Sequence, residues 1–243
     1  MKTKILLIVV SVFYWNLGDL KAQYEGKDFS LNFSFNYTTT SKLFLSPNAS
    51  DPVVRATYSS LDDIYSYALE LKYRVSEPLI IGFYTEYLRK TGAETQITAI
   101  RRFSPIAVDV NDGYVLIPVE FSIYYLLPFS TEDFKFYMGG GVGAYFGSHV
   151  KLFEDVEVSN VSREFAFGIQ VNLGMDYRIT DFLTVGGGMK FRDPEFEMES
   201  KYNKAVFTMD GEEVLLRDDT FDSKVNIDGV TFYLSVSYQF NLF

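Results

Sequence analysis

The 243-residue chain contains no cysteine, and its basic residues are outnumbered, with 22 Lys and Arg against 32 Asp and Glu. The absence of cysteine excludes disulfides, thiolate nucleophiles and thiolate metal sites. The net charge of −10 argues against a nucleic-acid-binding protein, because phosphate recognition needs clustered Lys and Arg. Long hydrophobic runs are also missing: the longest, ILLIVVSVFYW at 5–15, is too short to cross a bilayer as a helix.

That short run belongs to a leader-like N-terminus. Lys2 and Lys4 form a basic region, the apolar run follows, and Ala22 offers a small residue at a cleavage position. This order is typical of a secretory signal peptide, so we expect a cleaved leader over 1–22 and a mature chain over 23–243. An N-terminal membrane anchor is the alternative. In either case the protein is expected to leave the cytoplasm.

The mature chain alternates apolar and polar residues with a period of two. In FSLNFSFNYT, at 29–38, every odd position is aromatic or aliphatic and every even position is small and polar. Successive side chains leave a strand on opposite faces, so this pattern predicts strands with one wholly apolar face. The pattern recurs in eight segments: 29–38, 63–75, 79–89, 114–125, 134–147, 163–178, 182–192 and 229–243.

The connections between these segments alternate in length. Short turns lie at 76–78, 127–133 and 179–181, whereas the segments 39–62, 90–113, 148–162 and 193–228 are long enough for loops. Long loops at one rim and tight turns at the other are typical of membrane barrels. The sequence therefore predicts an all-β, antiparallel, up-and-down, eight-stranded transmembrane β-barrel with its apolar face toward lipid. A soluble barrel with the apolar face inside is the alternative.

Two segments resemble a known group of proteins. The segment IPVEFSIYYLLPFSTEDFKFYMGGGVGAYF, at 117–146, and the aromatic end SYQFNLF, at 237–243, resemble the small eight-stranded outer-membrane β-barrel proteins of the opacity, OmpX, OmpW and OmpA-transmembrane type, in the form found in Bacteroidetes. The resemblance implies the outer membrane of a Gram-negative bacterium and contact with its lipid and lipopolysaccharide. It implies no single activity, and we expect a structural role or an interaction role carried by the loops.

Charged residues occupy the polar, inward-facing positions of several predicted strands. Buried charges are costly unless they are paired, so we expect a salt-bridged plug in the lumen. An ion gate or a narrow porin path for small solutes is the alternative. The expected network comprises Glu70, Lys72, Arg74, Glu86, Glu120, Lys135, Arg178, Lys190 and Arg192.

Glycines and the single histidine invite enzymatic interpretations that their context does not favour. The clusters 139–143 and 186–188 lie inside predicted strands, whereas a phosphate-binding loop must precede a helix. His149 follows Ser148, a pair of the kind that lipid A-modifying barrels use, but neighbours on a strand point to opposite sides. We predict no catalytic residue, no metal site and no cofactor, with a lipid A-modifying enzyme as the second alternative.

The segment 193–223 is strongly acidic and is expected to be the longest surface loop. Within it, 204–216 predicts a hairpin with its turn at Asp210 and Gly211, and we expect the flanking strands, 182–192 and 229–243, to extend beyond the membrane here. The segment is a candidate surface for another envelope protein or, through divalent ions, for lipopolysaccharide. Arg101 and Arg102 form a small basic spot suited to lipid phosphate.

Overall fold

The computed structural model describes residues 27–154, 156–163 and 166–241. The expected signal peptide and the last two residues lie outside this part of the chain. The elements are β1 (Phe29–Phe44), α1 (Pro52–Ala56), β2 (Tyr58–Arg74), β3 (Leu79–Arg101), β4 (Ser104–Leu126), β5 (Phe134–Leu152), β6 (Val158–Arg163), β7 (Ala166–Arg178), β8 (Leu183–Arg192), β9 (Glu195–Tyr202), β10 (Val206–Met209), β11 (Glu212–Leu216), β12 (Thr220–Asn226) and β13 (Val230–Phe240). None of the described helices has the length and apolarity to cross a bilayer.

Eight of these strands form a closed antiparallel ring. Its order is β1, β2, β3, β4, β5, β7, β8 and β13, and β13 pairs back onto β1 from Phe29–Phe240 to Thr38–Thr231. Each strand pairs with the strands before and after it in the ring, so the ring has no open edge in its lower part. The predicted eight-stranded up-and-down barrel is confirmed.

The apolar faces point outward. Phe33 is 51% exposed, whereas its neighbours Asn32 and Ser34 are buried inside the ring. Exposed apolar side chains form a continuous belt over 29–38, 64–74, 79–89, 115–126, 134–147, 167–178, 183–191 and 230–240, the membrane-spanning segments. About ten residues per strand, tilted by about 40°, give a belt about 25 Å tall, the height of a membrane barrel's apolar band. The belt rules out the soluble barrel with an apolar interior.

Much of the sequence expected to form long loops is strand instead. β1 continues to Phe44 and β2 begins at Tyr58, while β3 and β4 meet at a turn of only two residues, Arg102 and Phe103. The strands beyond the belt form an upper tier that continues the barrel wall. β6, β9 and β12 lie above β7, β8 and β13, and β9 pairs with both β6 and β12. The acidic segment 193–223 is therefore mostly strand and not an irregular loop, since β9, β10, β11 and part of β12 occupy it. The expected extension of the strands beyond the membrane is present as β9 paired with β12.

Between the belt and the upper tier, the inward-facing positions of the strands change from even to odd residue numbers or the reverse. The period-two pattern of the belt therefore did not continue into these strands. Below the change, the inward positions of β1 and β2 are Thr38 and Ser66; above it, they are Leu43 and Leu61, on the opposite parity. Asp63 has a positive φ of 54°, and Gly92, at φ 129°, is the extra residue of a bulge in β3. The apolar residues thereby turn inward above the belt, because water replaces lipid outside.

The upper tier has its own apolar core and a cap. One buried cluster includes Leu43, Leu116 and Phe196 just above the lumen charges, and a second includes Val110, Phe153 and Phe207 near the top. The predicted hairpin is present as β10 and β11, with its turn at Asp210 and Gly211, and β11 pairs with β3 at Ala99 and Ile100. It packs Phe207 and Val214 into the upper cluster.

Candidate functional site in the barrel lumen

The charged residues of the lumen come from neighbouring strands and from the opposite wall. Glu70, Glu86 and Glu120 lie on β2, β3 and β4, and Lys190 and Arg192 lie on β8. All five are at inward positions of the period-two alternation and are at most 8% exposed. The barrel therefore sets three carboxylates on one wall against two cations on the facing wall.

Arg192 is the centre of this network. Its Nη1 donates to Oε2 of Glu86 at 2.6 Å and approaches Oε1 of Glu120 at 3.5 Å. Lys190 Nζ donates to Oε2 of Glu120 at 2.7 Å. Two cations thus face two carboxylates, so the four central charges balance within the low-dielectric interior.

Hydroxyl groups complete the central network. Tyr84 donates to Glu86 at 2.9 Å, Ser66 also donates to Glu86, and Tyr145 donates to Glu120 at 3.1 Å. Lys190 Nζ lies 3.2 Å from the centroid of the Tyr84 ring. Arg192 is less completely satisfied, since its Nε and Nη2 make no hydrogen bond within the described residues.

A second group lies closer to the rim of short turns. Glu70 accepts from the Tyr124 hydroxyl at 2.6 Å and lies 3.5 Å from Lys72, whose ammonium is 4.6 Å from the centroid of the Tyr137 ring. Asp176 is also buried here, with the Tyr137 hydroxyl at 3.4 Å. Asp176 is not among the residues predicted for the network, although its inward parity on β7 was the signal that could have identified it.

The other three predicted members of the network lie apart from its centre. Arg74 pairs with Asp28 at 3.1 Å and Arg178 with Asp133 at 3.5 Å, and both pairs lie at the rim of short turns. Lys135 is buried, but its ammonium donates to the backbone oxygen of Thr131 at 2.6 Å. These three residues were assigned to the lumen by parity alone, which does not show how far along the barrel axis a side chain lies.

The strand glycines make room for the lumen side chains and for close packing. A Cβ on Gly82 would lie 2.5 Å from Oε1 of Glu70 and 2.9 Å from the Tyr124 ring, and one on Gly174 would meet the Tyr137 ring at 2.5 Å. A Cβ on Gly141 would overlap the backbone oxygen of Phe121. These glycines lie inside strands, and their steric role needs no phosphate ligand.

Packed side chains close the lumen above and below the charges. Ile80, Tyr124, Leu126 and Tyr137 form an apolar cluster near the rim of short turns. The cavities beside the charged groups measure about 20 Å³ and 30 Å³. Each has room for about one or two water molecules.

A separate polar cluster lies in the upper tier, between the two apolar clusters. His149 Nε2 is 2.7 Å from Oδ1 of Asp112, and its Nδ1 is 3.0 Å from Oγ of Ser223 on β12. Thr95 donates to the other oxygen of Asp112, and Lys151 Nζ lies 3.4 Å from Oδ1. Burial lowers the pKa of His149, and hydrogen bonding to His149 with the charge of Lys151 holds the pKa of Asp112 below its ordinary value despite burial.

His149 does not contact Ser148 through its ring. Ser148 occupies the outward parity of β5, as the strand geometry predicted, and Ser223 replaces it as the partner of the imidazole. Ser223 Oγ belongs to a fully buried residue. An Asp–His–Ser line is present, and all three of its side chains are buried. Within the described residues, no group of three or more His, Asp or Glu is arranged to hold a metal ion.

Comparison with known proteins supports the fold. Neither protein-family models nor curated proteins match the sequence. Among solved structures, the outer membrane protein OprG from Pseudomonas aeruginosa aligns with a TM-score of 0.57 at 15% identity, covering 91% of this chain and 100% of that chain. Neisserial surface protein A aligns with a TM-score of 0.48 at 13% identity, covering 87% of this chain and 97% of that chain. The outer membrane protease OmpT from Escherichia coli aligns with a TM-score of 0.47 at 8% identity, covering 92% of this chain and 99% of that chain.

The likeness to OprG and the closed ring define the class. The chain has the fold of the small outer-membrane β-barrels, and the resemblance drawn from 117–146 and the C-terminal segment is confirmed at the level of the fold. At these identities the likeness carries no activity, and a Bacteroidetes origin stays a prediction.

Proposed function

We propose that this protein is an outer-membrane barrel with a sealed lumen that serves as a structural and interaction scaffold, presenting its upper tier at the cell surface. The observation that carries the proposal is the continuous filling of the interior. The Arg192 network is enclosed by the Ile80 cluster on one side and the Leu43 cluster on the other.

Conduction would require this interior to open. Eight strands enclose a lumen just wide enough for side chains to fill. A hydrated ion passing along the axis would have to displace Arg192 from Glu86, and separating a buried pair leaves uncompensated charge. The porin alternative is therefore the less supported function.

Planar-bilayer recording tests the sealed lumen. The purified protein, refolded without its leader, should give no stable conductance steps at moderate voltage. Arg192→Ala, which shortens the central side chain, serves as the comparison, and Glu197→Ala on the outer face of β9 is the matched control. Reproducible wild-type channels whose conductance changes in Arg192→Ala but not in Glu197→Ala would establish a porin instead.

The outer face of the upper tier is the proposed interaction surface. Glu195, Glu197 and Glu199 alternate on β9 with buried Phe196 and Met198, so the three carboxylates share the outward face. Lys224 on β12 offsets part of this charge through its pair with Glu195 at 3.0 Å. The acidic face suits a basic region of another envelope protein, or lipopolysaccharide bridged by divalent ions.

A triple variant, Glu195→Gln, Glu197→Gln and Glu199→Gln, tests this surface. Cross-linking in whole cells, followed by identification of bound protein and lipid, should lose the partner in the variant while gel migration of the folded barrel is unchanged. An unchanged cross-linking pattern would move the interaction surface elsewhere.

An enzymatic role has weaker support. The arrangement of Asp112, His149 and Ser223 is its only structural basis among the described residues, and all three side chains are buried. We propose that the line positions β4, β5 and β12 against one another. Lipid A profiles of cells carrying His149→Ala should match those of cells with the unaltered protein, and a changed profile would favour the enzyme.

A further inference from the structure

A pocket opens into the upper tier above the His149 cluster. It measures about 280 Å³ and lies between the end of β1, the upper part of β3, and the connection from β11 to β12. Its lining runs from exposed residues, such as Thr98 and Arg217, to the buried Lys151 and Tyr202. The volume approaches the lower limit of small-molecule sites, about 300 Å³.

The pocket exists because the upper wall is incomplete. β2 pairs with β3 only from Ser66–Leu88 to Arg74–Ile80, so the upper parts of these two strands are not joined in the sheet. The hairpin formed by β10 and β11 pairs with β3 above this gap. Continuous pairing of β2 with β3 would leave less room between β1 and β3.

Lys151 is the distinctive group in the lining. Its side chain is 4% exposed, and its ammonium lies 3.4 Å from Oδ1 of Asp112 in an ion pair. The nearest other partners are aromatic rings, with the Phe221 centroid at 4.3 Å and that of Tyr202 at 5.8 Å. An ammonium has three donors, and the Asp112 carboxylate can engage only part of this capacity.

Asp112 does not need Lys151 to satisfy its hydrogen-bonding capacity. It accepts from His149 Nε2 at 2.7 Å and also from Thr95. The carboxylate therefore keeps two donors if the ammonium turns toward another acceptor. A buried cation with spare donors is an anchor for an anionic group, because charge-assisted hydrogen bonds are the strongest kind available in such a site.

The other lining residues indicate the rest of the ligand. Leu45, Ile97, Tyr202, Leu216 and Phe221 supply apolar and aromatic walls, and Arg217 adds a second cation at the exposed rim beside Asp218. We infer that the upper-tier pocket binds a small organic carboxylate with an aromatic or short aliphatic body, its carboxylate bound by Lys151. This inference adds a ligand site to the proposed scaffold, and it does not depend on whether the lumen is sealed.

The test compares an anion with its neutral isostere. The unaltered protein in lipid nanodiscs is titrated with 2-naphthoate and with 2-naphthamide, and binding is measured by isothermal calorimetry and by saturation-transfer NMR. We expect 2-naphthoate to bind at least about tenfold more tightly than the amide, the difference that a charge-assisted hydrogen bond gives. Equal binding of the two probes, or no binding of 2-naphthoate at millimolar concentration, would overturn the inference.

Variants locate the site. Lys151→Met should weaken 2-naphthoate by about tenfold or more. The exposed Lys201→Met on β9, a matched lysine outside the pocket, should leave its affinity unchanged. If Lys151→Met fails to fold because Asp112 loses its ion-pair partner, the double variant Lys151→Met with Asp112→Asn removes both charges and is measured instead. Retained affinity in either Lys151 variant would place the anion elsewhere.

Discussion

Substituting Arg192 with Met should destabilise the barrel far more than substituting Arg192 and Glu86 together. Arg192 is 4% exposed and its Nη1 lies 2.6 Å from Glu86. Methionine keeps most of the apolar stem but removes the charge. Glu120 retains its ion pair with Lys190 at 2.7 Å. Glu86 is the carboxylate that loses its ion-pair partner, and it keeps hydrogen bonds from neutral donors such as Tyr84 and Ser66.

The expected magnitudes follow from this asymmetry. Leaving one buried charge unpaired costs about 3–5 kcal/mol, which lowers the folding equilibrium constant by a factor of about 160 to 5,000. The double variant Glu86→Gln with Arg192→Met leaves no uncompensated charge. Because two of the guanidinium nitrogens lack hydrogen-bond partners among the described residues, we expect the double variant to lie within about 1 kcal/mol of the unaltered protein.

Urea unfolding in lipid vesicles, followed by circular dichroism and by heat-modifiable gel migration, measures both changes. The only tryptophan, Trp15, precedes the expected cleavage position, so tryptophan fluorescence would not report on the mature chain. A double-mutant cycle that includes Glu86→Gln alone gives the coupling between the two residues. The reasoning is refuted if Arg192→Met costs less than about 1 kcal/mol, or if the double variant is no more stable than Arg192→Met.

Three further perturbations test other parts of the structure. Gly141→Ala should lower the folding yield severely, since its Cβ would overlap the backbone oxygen of Phe121. Gly140→Ala should have a milder effect, because its Cβ would lie 3.1 Å from the backbone oxygen of Gln170. Equal yields of the two variants would contradict this packing. Gly211→Ala, at φ 79°, should destabilise the hairpin by about 1 kcal/mol and speed its proteolysis, and an unchanged cleavage rate would argue against this turn. The pKa of His149 lies below its ordinary 6.5, so the unfolded chain takes up the proton at a higher pH than the folded protein, and stability should fall as the pH drops below about 6.5. His149→Gln should flatten this part of the plot of urea midpoint against pH. A plot parallel to that of the unaltered protein would exclude His149 as the source of the change.

The period-two pattern was sufficient to predict the belt and the ring. In 29–38 and 166–178, lipid outside and a narrow polar lumen inside impose opposite demands on alternate residues, so the sequence records both faces directly. The same parity identified Glu86, Glu120, Lys190 and Arg192 as inward residues. It also placed Ser148 on the face opposite His149.

Parity gave no information on depth or on partners across the barrel. Arg74 and Arg178 share the inward phase, but strand tilt and register place them at the rim with Asp28 and Asp133. Arg192 meets Glu86 because closure of the ring brings β8 opposite β3, at a sequence separation of 106 residues. No local pattern specifies that contact.

The sequence alone determined a closed barrel, the direction of its faces and the polarity of its lumen, because lipid and interior each select residues position by position. Only the tertiary structure revealed the full extent of the upper tier, where Asp63 and Gly92 reverse the phase and water replaces lipid as the outer solvent. It alone brought Asp112, His149 and Ser223 together and placed Lys151 in a pocket. These contacts arise from strand register and closure, which depend on the whole chain at once.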